Sequence, residues 1–297
     1  MYNFTVKSLS QLLAVALSFV LPASTMAGGL GGSTSSAAAD ACPARSLLLD
    51  FDVYRFGTHM GQAPIWRLGS GPAYYFKSGL LIDADGAPNA YNAENTGLDD
   101  LYNAGEPGRW DGIVQDEDGE PVVQGPDDPF PGYYISCTSL FDRTKHRGDP
   151  SRFVDATQVP YVALPHDLAA QTGTELGDLV FVFSEDTGRS AWAIFADIGA
   201  FGEGSIALAE DLGIRSDARR GGTPKGISYV VFPGSGDGQP KSVDQINLLA
   251  DALMEAWSDA EKAFSCAGIV TEPAQATPTG ESRAESPVTE QPTTKGD

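Results

Sequence analysis

The chain has 297 residues, with 40 acidic side chains against 19 basic ones and a formal net charge of −21. Only five of the acids and two of the bases lie in residues 271–297, so most of the negative charge belongs to residues 42–270. Such a surface repels nucleic acid and anionic membranes, which excludes both as expected partners, and it attracts cationic substrates. A solvated surface that keeps the protein soluble is the simpler explanation for most of these charges.

The N-terminal residues have the pattern of a secretory signal peptide. Lys7 precedes an apolar run over Leu12–Leu21, and a stretch of small residues ends at Ala27. The run is too short to span a bilayer, so we expect a signal peptide over residues 1–27, cleavage after Ala27 and a secreted protein, extracellular or periplasmic. Gly, Ser and Ala then predict a flexible lead-in over residues 28–41.

Residues 42–270 have the length of one domain with a substantial core. Residues 271–297 are rich in Thr, Pro, Glu and Ser, which predicts a disordered tail because such a segment cannot bury enough apolar surface to offset its ordering entropy. We expect a monomer.

The three cysteines suggest one disulfide and one free thiol, because export brings the chain into an oxidising compartment. Cys42 and Cys266 bracket the domain, whereas Cys137 lies in an apolar run and is interpreted as a small buried residue. Neither the cysteines nor the three histidines have the spacing of metal ligands, so we expect no metal and no other cofactor.

Short runs of Val, Ile, Tyr and Phe alternate with Gly, Pro, Asn and Asp, which indicates a mainly β domain. Turn residues predict a hairpin between residues 112–115 and 121–124, and a further turn at residues 186–189. The predicted strands are Leu47–Val53, Tyr74–Ile82, Gly132–Thr138, Tyr161–Leu164, Leu179–Phe183, Ala191–Ile198 and Ile227–Phe232.

Two helices are predicted near the end of the domain. A short one covers Ile206–Leu212, with Ser205 as its N-cap, and a long one covers Val243–Phe264, with a capping box formed by Ser242 and Gln245. Many short strands, few helices and no βαβ alternation predict a single-domain β-barrel with appended helices.

Two carboxylates flank a Gly-rich loop. Asp197 ends an apolar strand, and Glu203 stands just before the helix cap. Hydrolysis of a glycosidic bond needs one protonated carboxyl and one ionised carboxylate, and these surroundings weakly favour Asp197 as the acid and Glu203 as the base. Both residues also have ordinary structural explanations, as a turn former and as a partner of the helix dipole.

Asp83 and Asp85 form a D-x-D-G turn after the strand that begins at Tyr74. The remaining positions of a calcium loop are missing, so the turn is a candidate for binding a ligand other than calcium. The aromatic residues Tyr74–Phe76 are candidates for stacking on sugar rings, although at least one of them must face the core of the sheet.

The two segments together resemble the fungal-type chitosanases of glycoside hydrolase family 75. Residues 75–86 carry Y-F-K followed by D-x-D-G, and residues 194–205 resemble the family's catalytic segment, an Asp, a variable loop and a Gly-Glu pair. The catalytic segment also resembles the strand, loop and helix of double-psi β-barrels, so the resemblance implies a double-psi-like barrel.

The resemblance implies an endo-acting hydrolase that cleaves β-1,4-glucosaminidic bonds of chitosan with inversion and without a metal. It implies that Asp197 and Glu203 are the catalytic pair, and it points to a substrate-binding set of Asp83, Asp85, Lys77 and Tyr75. Gly79 and Leu81 stand where fungal members often have acids, so partly acetylated glucosamine polymers are included as substrates.

Two alternatives remain open. One is a non-catalytic polysaccharide- or wall-binding barrel similar to an expansin, and the other is a hydrolase of the same fold that acts on another glycan, such as peptidoglycan. The polymer from which the protein releases new reducing ends distinguishes these possibilities.

Overall fold

The computed structural model describes residues 44–55 and 57–269. The expected signal peptide, lead-in and tail, and Cys42, lie outside these residues. The strands are β1 Arg45–Arg55, β2 Thr58–Leu68, β3 Tyr74–Asp83, β4 Gly105–Glu106, β5 Arg109–Trp110, β6 Tyr161–Leu164, β7 Leu179–Ser184, β8 Ser190–Ile198, β9 Glu203–Ser205 and β10 Thr223–Phe232. The α-helices are α1 His166–Thr172, α2 Ile206–Asp211, α3 Val243–Ala256 and α4 Ala260–Ala267.

Six of these strands close into a barrel. They hydrogen-bond in the order β3, β10, β7, β8, β6 and β9, and β9 returns to β3. The β3–β9 and β6–β8 pairs are parallel, and the other neighbours in the ring are antiparallel. The predicted mainly β, single-domain barrel is therefore confirmed. The hairpin of β1 and β2 extends the sheet outside the ring at β3.

A cluster of aromatic rings packs beside the loop between β8 and β9. Phe201 of that loop lies 4.5 Å, centroid to centroid, from Phe76 of β3, and Phe76 stacks on Tyr229 of β10 at 4.8 Å. All three side chains are buried. Burial of a large apolar side chain contributes about 1.5–3 kcal/mol, so Phe201 anchors the loop that separates the two predicted catalytic carboxylates.

The predicted strands agree with the observed ones except over Gly132–Thr138. These residues form isolated bridges with residues 113 and 123, because they lie in a long segment, residues 84–160, that pairs mainly with itself. The predicted hairpin at residues 112–124 is likewise reduced to one bridge between Gln115 and Pro121. The sequence does not predict β2, β4, β5, β9 or α1, because Gly61 and Pro64 interrupt the pattern of β2 and the other four elements are short.

The C-terminal helix is shorter than predicted. Its capping box is present, but α3 ends at Ala256 and α4 begins at Ala260. Trp257, between the two helices, packs edge-on against Phe232 of β10 and Phe264 of α4. The chain turns here because both helices direct apolar side chains onto the barrel. α2 and its N-cap Ser205 form as predicted.

The cysteines divide as the sequence suggests. Cys266 is disulfide-bonded, whereas Cys137 carries a free thiol and is only partly buried, not fully buried as expected. Among the helices that the structure describes, none has both the length and the apolar character that crossing a membrane requires.

Candidate active site

Asp197 and Glu203 lie on the two sides of the short strand β6. Asp197 of β8 and Glu203 of β9 are both register partners of Ala163. The strand β6 therefore separates the backbone positions of the two carboxylates, although the register of β6 and β8 shifts between Val162 and Ala163. Two strand spacings place the Cα atoms of Asp197 and Glu203 about 9–10 Å apart.

The two side chains open into one cavity of about 680 Å³. The end of β1, the ends of β3 and β8 and the start of β9 line it, together with part of the segment between β3 and β6 and the loop before β10. Acidic side chains outnumber basic ones in the cavity, because four further carboxyl groups line it beside Asp197 and Glu203, against three guanidinium groups. The carboxylates are Asp83, Asp85, Asp99 and Asp111, and the basic residues are Arg55, Arg219 and Arg220.

Three donors converge on one oxygen of Asp197. Its Oδ1 accepts hydrogen bonds from the hydroxyl of Ser139 at 2.6 Å, from the Ser139 N–H at 3.0 Å and from the Ile198 N–H at 2.8 Å. Burial raises the pKa of Asp197 to about 6, although the Ser139 and Ile198 donors, which stabilise the ionised form, oppose the shift.

Glu203 is held by the loop that precedes it. Its Oε2 accepts a 2.6 Å hydrogen bond from the Ala200 N–H, and Gly199 passes so close that any side chain there would meet Oε2. Burial raises the pKa of Glu203 to about 6, against the Ala200 donor, with further contributions from the charges of Asp197 and Asp99. Both predicted catalytic carboxyls therefore titrate above their ordinary range.

The D-x-D-G turn joins the same cavity. Asp83 Oδ1 accepts a 2.8 Å hydrogen bond from the Asp85 N–H, and the Tyr91 hydroxyl donates to Asp85 Oδ1 at 2.7 Å. Burial, followed by the charges of Glu203 and Asp197, raises the pKa of Asp83 well above its usual range. Burial and the charge of Asp83 do the same for the pKa of Asp85.

Lys77 and Tyr75 do not line this cavity. The Lys77 ammonium donates a 2.5 Å hydrogen bond to Glu185 at the surface, and the buried Tyr75 hydroxyl accepts from Arg45 at 2.9 Å. Their distance along β3 explains these positions, because Lys77 lies six residues and Tyr75 eight residues before Asp83, which is about 20–26 Å at about 3.3 Å per residue. Of the predicted substrate-binding residues, the structure thus places Asp83 and Asp85 in the cavity and Lys77 and Tyr75 outside it.

The other aromatic residues considered from the sequence belong to the core. Tyr74 and Phe76 are fully buried, and the Tyr74 hydroxyl lies 2.9 Å from Thr174 Oγ1. The fold thus uses these rings for packing, not for contact with a ligand.

Arg219, which no sequence pattern singles out, holds one wall of the cavity in place. Its guanidinium pairs with Asp100 at 2.6 Å and donates to the backbone oxygens of Asn95, Gly97 and Asp99 at 2.8, 3.1 and 2.8 Å. Arg219 thereby ties the loop before β10 to residues 95–100. Asp99 is held in turn by the Asn103 amide, which donates to both of its carboxylate oxygens at 3.0 Å.

No group of three or more His, Cys, Asp or Glu side chains within residues 44–55 and 57–269 is arranged to hold a metal ion. The chemistry open to the described side chains is acid–base chemistry, since two carboxyls with a pKa of about 6 share one cavity.

No family model matches the chain, and no curated protein matches it. The fold and the cavity therefore define the protein in physical terms, as a closed six-stranded β-barrel with a carboxylate-lined cavity beside one short strand.

Proposed function

We propose that this protein is an endo-acting glycoside hydrolase that cleaves β-1,4-glucosaminidic bonds of chitosan, or of partly acetylated glucosamine polymers, with inversion. The observation that carries the proposal is the pairing of Asp197 and Glu203 with the same residue, Ala163, inside one cavity. Inverting hydrolysis needs two carboxyl groups about 6.5–9.5 Å apart, so that a water molecule fits between the base and the sugar. Two carboxyls separated by β6 suit that requirement better than two on adjacent strands.

The hydrogen bonds favour Asp197 as the general base and Glu203 as the general acid. Three donors stabilise the ionised form of Asp197, whereas Glu203 accepts one and lies near the charges of Asp197 and Asp99, which favour its protonated form. This assignment reverses the one that the sequence weakly favoured, because Ser139 was not visible as a partner of Asp197 in the sequence.

The proposed reaction is a single displacement. Glu203 gives its proton to the glycosidic oxygen as the bond to the anomeric carbon breaks. Asp197 takes a proton from a water molecule, whose oxygen attacks the anomeric carbon from the opposite face, and the new reducing end forms with inverted configuration. Proton exchange with solvent then restores both carboxyl groups.

The acidic lining supports an amino sugar as the substrate. Asp83 and Asp85 have raised pKa values because they are buried close to other carboxylates. A bound ammonium group supplies the opposite charge, so binding of the amine and ionisation of these carboxyls favour each other. The resemblance of residues 75–86 and 194–205 to family 75 supports the same substrate class, and the signal-peptide pattern suits an enzyme that meets its polymer outside the cell.

The test is release of reducing ends from chitosan, chitin, cellulose and peptidoglycan. We expect activity on chitosan that falls by about 10²–10⁴-fold in Asp197→Asn and in Glu203→Gln. Asp251→Asn and Glu255→Gln, on the exposed face of α3, are the matched controls and keep full activity. Activity on another glycan but not on chitosan would mean that the proposed substrate is wrong. Binding of chitosan without cleavage would favour a non-catalytic binding module.

A further inference from the structure

Exposed aromatic rings are concentrated at the carboxylate cavity. Of the Phe, Tyr and Trp side chains that the structure describes, three are exposed: Tyr102 at 67%, Tyr54 at 56% and Phe130 at 38%. Tyr102 and Tyr54, the two most exposed, both line the cavity that contains Asp197 and Glu203, whereas Phe130 does not.

The two rings come from unrelated parts of the chain. Tyr54 lies near the end of β1, beside His59 of β2 at 5.2 Å between ring centroids. Tyr102 lies in a 3₁₀ turn over Leu101–Ala104. Its neighbours in sequence are fixed, since Asp100 pairs with Arg219 and Asn103 binds Asp99. Tyr102 is thus presented to solvent on a tethered turn, which lowers the entropy lost when a ligand covers it.

The cleft continues past Tyr54. A second cavity of about 510 Å³ shares Tyr54, Gly199 and Ala200 with the first. Asp50, Asp52 and Asp167 also line it, so it has the same sign of charge as the carboxylate cavity. Tyr54 stands at the junction of the two, whereas Tyr102 borders only the first.

We propose that Tyr54 and Tyr102 are stacking platforms for two different sugar rings of the glycan, and that the chain passes over Tyr54 into the second cavity. This inference rests on the proposed function. Pyranose rings have an apolar C–H face, which aromatic side chains can cover while the hydroxyl and ammonium groups stay in contact with water and carboxylates. An extended cleft with one platform at the junction and another in the carboxylate cavity suits a polymer cleaved within its length.

The variants are Tyr54→Ala and Tyr102→Ala, each beside the ring-retaining Tyr→Phe change, with Phe130→Ala as the exposed aromatic control. KM and kcat are measured on long chitosan and on short glucosamine oligomers. We expect each alanine variant to raise KM for the polymer roughly 10-fold, and each phenylalanine variant to stay near wild type. Tyr54→Ala is expected to affect long substrates more than short ones, because only long chains reach the second cavity. Phe130→Ala leaves both constants unchanged.

A second readout does not depend on turnover. The same proteins are run in native gels that contain soluble glycol chitosan, at high salt so that long-range attraction of the polycation is screened. If wild type is active and folded alanine variants match it in both KM and retardation, the platforms are wrong and the proposed function stands. If wild type is inactive but retarded, and the alanine variants lose the retardation, the function is wrong and the platforms stand. Absence of both activity and retardation in wild type overturns both.

Discussion

The hydroxyl of Ser139 donates a 2.6 Å hydrogen bond to Oδ1 of Asp197. The same oxygen accepts from the Ser139 N–H, and the adjacent Leu140 N–H binds the Ala196 oxygen at 2.8 Å, so the segment around Ser139 is fixed along β8. Oδ2 of Asp197 has no hydrogen-bond partner among the described residues. Asp197 is therefore oriented by one oxygen and can use the other in catalysis.

Ser139→Ala tests this orientation. The variant removes one donor to the ionised form of Asp197, so the pKa of Asp197 rises further. A hydrogen bond to a charged group contributes about 1.5–3 kcal/mol, which corresponds to a shift of about one to two pH units. If Asp197 is the base, the acidic limb of the kcat/KM profile moves to higher pH. Ser139→Thr retains the hydroxyl and keeps the wild-type profile, and an unshifted profile in Ser139→Ala would count against Asp197 as the base.

Gly199→Ala tests the space around Glu203. A Cβ at this position would meet Oε2 of Glu203 and would lie 2.9 Å from the Ala163 methyl. The Glu203 carboxyl must therefore move, and we expect kcat to fall by about 10²-fold, since small displacements of catalytic groups are costly. Gly71→Ala is the matched control, because a Cβ at Gly71 meets nothing within 4 Å. Unchanged kcat in Gly199→Ala would show that the position of Glu203 is not critical.

Stability is expected to fall as the pH rises. The folded-state pKa of Asp197 and that of Glu203 are raised to about 6 from 3.8 and 4.5, and those of Asp83 and Asp85 are also raised. The folded state therefore binds more protons than the unfolded state above about pH 4, and the stability present below the unfolded pKa values is lost as the pH passes through the folded ones. Exposed carboxyls with lowered pKa values, such as Asp142, change the pH dependence of stability only below about pH 4.

Asp83→Asn checks this pH dependence. Removal of one buried charge is expected to raise the melting temperature at neutral pH and to flatten its decline from about pH 4 to about pH 8. Asp251→Asn, on exposed α3, leaves the decline unchanged. A wild-type melting temperature that increases with pH over this range would contradict the expectation.

Arg219→Ala tests whether Arg219 holds residues 95–103 in place at the cavity. The variant removes the pair with Asp100 and the donors to three backbone oxygens, so residues 95–103 are expected to exchange amide hydrogens faster. We expect a loss of about 2 kcal/mol in unfolding free energy and a higher KM. Arg215→Ala, which loses only an exposed pair with Asp217, is the control and changes little. Equal exchange in the two variants would mean that Arg219 does not hold the wall.

The sequence predicted the barrel and the residues that a local pattern can reveal. Asp197 and Glu203 were visible because an apolar strand, a Gly-rich loop and a helix cap follow one another directly, and Asp83 and Asp85 because they form one turn. Lys77 and Tyr75 lie outside the cavity because they stand about 20 Å or more along β3 from Asp83, and a motif does not show which part of a strand borders a cavity.

The remaining site residues could not be predicted, since long-range contacts bring them together. Asp99, Tyr102 and Ser139 belong to the long segment between β3 and β6, whose path depends on bridges within itself and on Arg219. The sequence around Tyr54 shows only an alternating strand pattern, and the contact of Tyr54 with the cavity depends on the position of β1 in the fold. The proposed roles of acid and base differ from those that the sequence weakly favours, because Ser139 is distant from Asp197 in sequence.

The most direct test of the central claim is the configuration of the first product, observed by proton NMR while the protein hydrolyses chitosan. Carboxyls separated by β6 predict that the α-anomer of the new reducing end appears first and then mutarotates, as inversion of a β-linkage requires. Initial appearance of the β-anomer would contradict the account, because it would mean a nucleophile about 5–5.5 Å from the acid and a covalent intermediate.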